Sequence, residues 1–283
     1  MKPDEKSIQV GSLNWFYREA NPSNSNNRSP VILLHGLPAQ SYSWREVMPA
    51  LAEKGLRAIA PDWIGFGFSD NPDKRHFAYT PDAFLDAFAA LLQALEIEQF
   101  SLVVQGFVGS VGLQYALRNP DRIERLAILN TPITSDAKLP WKIKQLSLPF
   151  IGDVMTQDPL LVDRTLEGAG PYQVADADLD IYRRPFLRSS AAGRALMATI
   201  RNLQLPQVTT EIEAGLKQWQ HPTLLIWGED DPWLPVSMAQ TTLNALSNGE
   251  LAKLEKVGHY AQEDWHEKVN EVLVPFLRRQ EKD

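Results

Sequence analysis

The stretch that most constrains this chain runs from Leu102 to Leu113 and reads LVVQGFVGSVGL. Its apolar, β-branched start, Leu102–Val104, is typical of a buried strand, and the run from Phe107 onward is compatible with a helix. Gly106 stands at the junction, where a sharp turn requires a positive φ that glycine adopts without strain. The sequence therefore predicts a strand, a tight turn and a helix, which is a building unit of α/β sheets.

Similar apolar runs alternate with helical patterns over much of the chain. A clear helix is predicted after Thr80, a good N-cap residue that is followed by Pro81 at the first helical position. Alternation of this kind favours one mostly parallel, eight-stranded sheet flanked by helices. Two strands are predicted within residues 7–20, and the others lie near Val31–His35, Ala58–Pro61, Leu102–Val104, Leu126–Leu129, Leu224–Trp227 and Leu251–Glu255. Between about residues 131 and 221 only helical patterns are found, for example Ser189 to Leu203.

The amino-acid composition argues against several classes of function for this chain. Of the 283 residues, 44% are hydrophobic, which is enough for one large core. The formal net charge is −7 and no cluster of basic residues stands out, which argues against a nucleic-acid partner. The chain has no cysteine, so disulfides, thiolate catalysis and cysteine-bound metals are excluded. We expect neither a metal nor another cofactor.

The sequence also lacks the signals of export and membrane insertion. The start, MKPDEKSIQV, has acidic residues and no apolar core of the length that a signal peptide needs. No apolar run approaches the roughly 18 residues that indicate a membrane span. We therefore expect a cytoplasmic protein without a transmembrane segment.

Four further segments resemble a known family. They are VILLHGLP (Val31–Pro38), PDWIGFGFSD (Pro61–Asp70), LLIWGEDDPWLP (Leu224–Pro235) and KVGHYAQEDW (Lys256–Trp265). Together with the strand–turn–helix they resemble the α/β-hydrolase fold superfamily, in particular the haloalkane dehalogenase and epoxide hydrolase group. Their order along the chain is the order of elbow, acid and histidine that this fold has. The resemblance implies a core domain of residues 1–130 and 222–283, with a helical cap of residues 131–221 inserted in it.

The resemblance also implies roles for individual residues. Asp231 is the acid that orients the base His259, and the backbone amides of Leu37 and Phe107 form an oxyanion hole. Gly106 occupies the position where the family carries Ser, Asp or Cys, so the covalent ester mechanism has no nucleophile. The side chains expected to line the substrate pocket are Trp63, Tyr172, Tyr182 and Phe186.

Two functions fit these residues. In the first, the chain is an enzyme without a covalent intermediate, in which the histidine is a general base acting on a small, largely apolar substrate in a hydrolase, lyase or isomerase reaction. In the second, it is an inactive ligand-binding or assembly protein that reuses the capped pocket for a small apolar or amphipathic molecule or a protein partner. Retention of both Asp231 and His259 favours the enzyme, whereas loss of the nucleophile favours the binding protein. We expect no dehalogenase activity in either case.

Overall fold

The computed structural model describes residues 2–24, 28–158 and 160–279. Its strands are β1 (Asp4–Val10), β2 (Leu13–Ala20), β3 (Val31–Leu34), β4 (Ala58–Pro61), β5 (Phe100–Gln105), β6 (Ile123–Leu129), β7 (Thr223–Gly228) and β8 (Gly249–Leu254). They form one sheet in the order β1-β2-β4-β3-β5-β6-β7-β8. The pairs of β2 with β1 and with β4 are antiparallel, and the other pairs of described strands are parallel. The prediction of a mostly parallel, eight-stranded sheet is therefore confirmed.

Helices flank this sheet on both faces. They are α1 (Val47–Glu53), α2 (Pro81–Ala94), α3 (Gly106–Arg118), α4 (Trp141–Lys144), α5 (Ile151–Met155), α6 (Leu161–Glu167), α7 (Asp176–Arg188), α8 (Ser190–Asn202), α9 (Leu205–Leu216), α10 (Val236–Leu243), α11 (Ala261–Asp264) and α12 (His266–Arg278). Short 3-10 helices are found at Ser41–Trp44, Pro120–Arg122 and Gln145–Ser147. No helix in the described part of the chain is long and apolar enough to cross a membrane.

The strand that leads to the predicted turn is buried on both faces. Alternate side chains of a strand point to opposite faces of a sheet, so Leu102 and Val104 pack in one apolar cluster and Val103 packs in the other. The first cluster includes Phe88 of α2 and Val111 of α3, and the second includes residues of α1 and α12. Because both faces of β5 are covered by helices, the strand has no exposed face that would require polar residues.

The chain between β6 and β7 leaves the sheet. The elements that the structure describes there are helical, as the sequence predicts, and α4 to α9 are called the insert below. The insert lies against the loops that follow β3 and β4. Gln40 Nε2 donates to the Ile181 carbonyl oxygen, and Asn202 Nδ2 donates to the Ala78 carbonyl oxygen, both at 2.9 Å. The division of the chain into a core domain and a cap domain stays a prediction.

The substitution Thr80→Ala tests the predicted start of α2. Thr80 Oγ1 accepts a hydrogen bond from the Ala83 N–H at 3.3 Å, which satisfies an amide that has no acceptor within the helix. We expect this variant to lose about 1 kcal/mol of the free energy of unfolding, measured by urea denaturation. Thr210→Ala, at an exposed position inside α9, is the matched control and should change that free energy by less than about 0.5 kcal/mol. Equal losses in the two variants would contradict the N-cap assignment.

Candidate active site

The turn between β5 and α3 has the backbone that the sequence predicts. Gly106 has a φ of +71°, which is strained for residues with a side chain. A Cβ atom at this position would lie 3.0 Å from the Gly36 Cα and 3.4 Å from His259 Nε2. The loop after β3 therefore packs backbone against backbone on the turn, and the imidazole faces the side from which a side chain at this position would project.

Gln105, the last residue of β5, connects three segments of this site. Its side chain is fully buried, and its Oε1 accepts from the Gly36 N–H at 3.2 Å while its Nε2 donates to the His259 carbonyl oxygen at 2.9 Å. Residues 255–260, between β8 and α11, carry His259 and are here called the histidine loop. The Gln105 amide group thus holds both this loop and the loop after β3 against the end of β5. Sequence reasoning missed this role, although a polar residue that ends an apolar strand is a signal for a buried hydrogen-bonding site.

His259 and Asp231 form the predicted pair. His259 Nδ1 lies 2.8 Å from Asp231 Oδ2, and both side chains are fully buried. The carboxylate is held by further donors: Asn130 Nδ2 at 2.8 Å on Oδ2, and the Trp233 and Leu234 N–H groups at 2.8 and 3.1 Å on Oδ1. With a carboxylate on Nδ1, the neutral ring carries its proton there, and Nε2 keeps the lone pair that faces the turn. Nε2 is buried and has no hydrogen-bond partner among the described residues.

Aromatic rings surround the imidazole. The ring of His259 stacks on Phe107, with ring centroids 5.6 Å apart, and lies 4.6 Å from Trp233 and 4.9 Å from Tyr260. The Tyr260 hydroxyl donates to the Leu37 carbonyl oxygen at 2.8 Å and so fixes the loop that follows β3. The imidazole therefore lies in an apolar, water-excluding environment, where electrostatic interactions are stronger than in water.

The two backbone amides expected to form an oxyanion hole border the same turn. The Phe107 N–H belongs to the first turn of α3, where amides have no acceptor within the helix and the helix dipole is positive. Leu37 follows Gly36, whose backbone contacts the turn. Both residues are buried, and neither amide donates a hydrogen bond within the part of the chain that the structure describes.

Two residues expected in the pocket wall make other contacts in the structure. Trp63 is fully buried, its indole N–H donates to the His35 carbonyl oxygen at 3.2 Å, and it packs on Trp15, Phe84 and Phe88. Tyr172 is 36% exposed, and its ring lies 5.8 Å from that of Trp265. A role of these two residues in substrate binding stays a prediction.

The other two expected residues lie near the histidine. Tyr182 and Phe186 belong to, or pack against, the apolar cluster that contains Tyr260 and contacts Trp233. The Tyr182 hydroxyl donates to Glu263 at 2.6 Å, and burial together with this carboxylate raises its pKa well above the usual range. This hydroxyl is therefore engaged in a structural hydrogen bond. Trp233, whose ring lies 4.6 Å from the imidazole, was not among the residues selected from the sequence.

The insert is joined directly to the histidine loop. The His259 N–H donates to the Ala169 carbonyl oxygen at 2.8 Å. A Cβ atom on Gly258 would lie only 2.3 Å from the Gly170 Cα, so the two glycines permit the closest approach of loop and insert. Movement of the insert segment at residues 169–170 must therefore disturb the backbone of His259.

A buried carboxyl supports this junction. Asp264 Oδ2 accepts from the Gly258 N–H at 2.7 Å. Burial raises the pKa of Asp264 to about 7; the Gly258 hydrogen bond opposes the rise, and the charges of Glu263 and Asp231 add to it. Asp264 therefore changes its charge near neutral pH, directly beside the contact between the loop and the insert.

Asp264→Asn tests this shift. The pKa of about 7 lies above the ordinary value of 3.8, so the folded state binds more protons than the unfolded state between these two pH values. The wild-type free energy of unfolding should therefore fall, relative to that of Asp264→Asn, as the pH rises from about 4 to about 7. We expect a relative change on the order of 1–4 kcal/mol in urea unfolding at a series of pH values. Parallel curves for the two proteins would contradict the assignment.

Gly106→Ala tests the close approach at the turn. Its new Cβ would be strained by the positive φ and crowded by the Gly36 Cα. Gly11→Ala is the matched control, because Gly11 also has a positive φ, of +58°, and its Cβ would meet nothing within 4 Å. We expect Gly106→Ala to lose about 1–3 kcal/mol more of the free energy of unfolding than the control. A loss equal to that of Gly11→Ala would show that the loop does not press on the turn.

Comparisons with known proteins agree with this fold. The model of the α/β hydrolase fold family matches residues 29–264. A 2-hydroxymuconate semialdehyde hydrolase from a Pseudomonas species is 30% identical over 243 residues, which are 82% of this chain and 81% of the relative. A haloalkane dehalogenase from Psychrobacter cryohalolentis is 27% identical over 278 residues, which are 94% of this chain and 88% of the relative.

Solved structures include similar folds as well. The crystal structure of a haloalkane dehalogenase from Bradyrhizobium elkani has a TM-score of 0.84 and 26% sequence identity, and the match covers 97% of each chain. The strand order, the family model and these relatives all give the same assignment. The chain therefore belongs to the α/β hydrolase fold family.

Proposed function

We propose that this protein is an enzyme without a covalent intermediate, in which His259 is the general base. The observation that carries the proposal is the position of His259 Nε2. It is buried, free of protein partners among the described residues, and 3.4 Å from the point where a side chain on Gly106 would begin. Asp231 holds the ring in the orientation that directs the lone pair to this point.

This arrangement supports a definite sequence of proton transfers. A water molecule or a substrate hydroxyl or C–H group beside the turn gives its proton to Nε2, and negative charge develops on a substrate oxygen. The Leu37 and Phe107 amides then stabilise that oxygen, as oxyanion-hole donors do. The proton on Nε2 passes to the leaving group or to the rearranged product. General-base catalysis of this kind contributes about 10²- to 10⁴-fold, which suits an activated substrate.

Gly106 limits the reactions that the site supports. A glycine has no oxygen or sulfur atom with which to attack a substrate, so no ester forms at this position. We therefore propose hydrolase, lyase or isomerase chemistry on a small, largely apolar molecule, and no dehalogenation. The aromatic rings around His259 favour an apolar substrate. Because the imidazole is fully buried, entry of that substrate requires movement of Trp233 or of the insert.

One observation favours a second candidate, a ligand-binding or assembly protein without catalysis. Phe107, Trp233 and Tyr260 pack around the imidazole of His259, and packing of this kind also suits a histidine with a purely structural role. In that case the hydrogen bond between His259 and Asp231 stabilises the histidine loop. The two candidates differ in what the removal of the imidazole changes.

The experiment compares His259→Ala with wild type on p-nitrophenyl acetate and p-nitrophenyl butyrate. We expect kcat/KM to fall by about 10²- to 10⁴-fold, because the base is lost while the oxyanion donors remain. His76→Ala, which removes a surface histidine, is the matched control and should keep wild-type turnover. Wild-type rates equal to those of His259→Ala on both esters would contradict a hydrolase with His259 as its base and favour the binding protein.

A further inference from the structure

We propose that the insert docks on the surface of a membrane that contains anionic lipids, through the side chains of Trp141, Phe150, Ile151 and Val154. These four residues, here called the apolar patch, are 63%, 84%, 48% and 72% exposed. Clustered large apolar side chains that face solvent are typical of interaction sites. The proposal does not depend on the proposed enzymatic activity, because the patch lies outside the site around His259.

The apolar patch is compact. Phe150 and Val154 are four residues apart, and Ile151 and Val154 are three apart, so these side chains share one face at the start of α5. The helices α4, which begins at Trp141, and α5 both contact the short helix Gln145–Ser147. The tryptophan and the other three residues therefore belong to the two helices that flank this short helix.

The apolar patch cannot be hidden by rotation of α5. The opposite face of this helix is packed through Gly152, where a Cβ would lie 2.2 Å from the Leu146 carbonyl oxygen and 2.9 Å from Met197 Cε. In addition, Phe150 has a φ of +63°, a strained conformation for an aromatic residue. The packing of α5 thus holds the side chains of Phe150, Ile151 and Val154 outward.

The charged residues near the apolar patch indicate which kind of surface it contacts. Residues 137–154 contain three lysines, Lys138, Lys142 and Lys144, and one acidic residue, Asp153, although the chain as a whole has a net charge of −7. All three lysines are exposed. Basic residues interleaved with tryptophan and phenylalanine are typical of segments that lie in a membrane interface, where the lysines meet anionic headgroups.

A groove beside α5 extends this basic region. It has a volume of about 630 Å³, and its floor includes Tyr79, Ala195 and Met197. Its charged side chains are Asp73, Lys74, Arg75, Asp153, Arg194 and Arg201. Asp73 is paired with Arg75, and Asp153 accepts from the Phe150 N–H. Four cationic side chains and two acidic ones thus line the groove.

Vesicle flotation tests the proposal with phosphatidylcholine vesicles, alone or mixed with phosphatidylglycerol. We expect wild type to bind the mixed vesicles, and the binding to weaken as NaCl is added because exposed charges are screened. The double variant Phe150→Ser/Val154→Ser should bind the mixed vesicles at least about tenfold more weakly than wild type, because neither serine makes the apolar contact with the interface. Lys142→Glu/Lys144→Glu should lose binding to the mixed vesicles as well.

Leu187→Ser is the matched control, because Leu187 is 62% exposed but lies in α7, outside the apolar patch. It should bind as wild type does, and all variants should keep the wild-type thermal unfolding midpoint. Absence of wild-type binding to the mixed vesicles would overturn the proposal, as would undiminished binding of Phe150→Ser/Val154→Ser. Self-association that this double variant abolishes, without vesicle binding by wild type, would assign the apolar patch to a second copy of the chain instead.

Discussion

The site depends on one physical constraint: polar groups buried at the carboxyl ends of the strands must satisfy one another. Gln105 joins the loop after β3 to the histidine loop, and the Asn130 side chain bonds both the Gly228 N–H and Asp231. An unpaired polar group at this depth costs roughly 1–3 kcal/mol, so each partner restricts the others to one geometry. The orientation of His259 is the result of these restrictions, and they leave its Nε2 without a hydrogen-bond partner among the residues that the structure describes.

Much of the fold follows from local sequence signals. The apolar run at Leu102–Val104 is buried on both faces, and Thr80 caps the helix that it was expected to start. The pair His259 and Asp231 was identified from motifs in the expected order, and the structure brings the two side chains together. These features depend on residues close in sequence or on a known order of segments, which is why the sequence could predict them.

Features that depend on packing between distant segments could not be predicted. Gln105 and Asn130 gain their roles from loops that are remote in sequence, and Trp233 becomes a neighbour of His259 only when the histidine loop closes on β7. Trp63, in contrast, was selected from the sequence. Its apolar character fits a core as well as a pocket wall, and its contact with Trp15 of the first hairpin could not be predicted from the sequence around it.

The central claim is that Asp231 holds His259 as a base with the lone pair on Nε2. The most direct measurement is the tautomer of this ring, read from long-range ¹H–¹⁵N correlations of protein labelled at histidine nitrogens, with His259→Ala for assignment. We predict a protonated Nδ1 with a strongly deshielded proton and an unprotonated Nε2 in the neutral ring, and loss of that proton signal in Asp231→Ala. A ring protonated at Nε2, or one whose signals do not respond to Asp231→Ala, would contradict the claim.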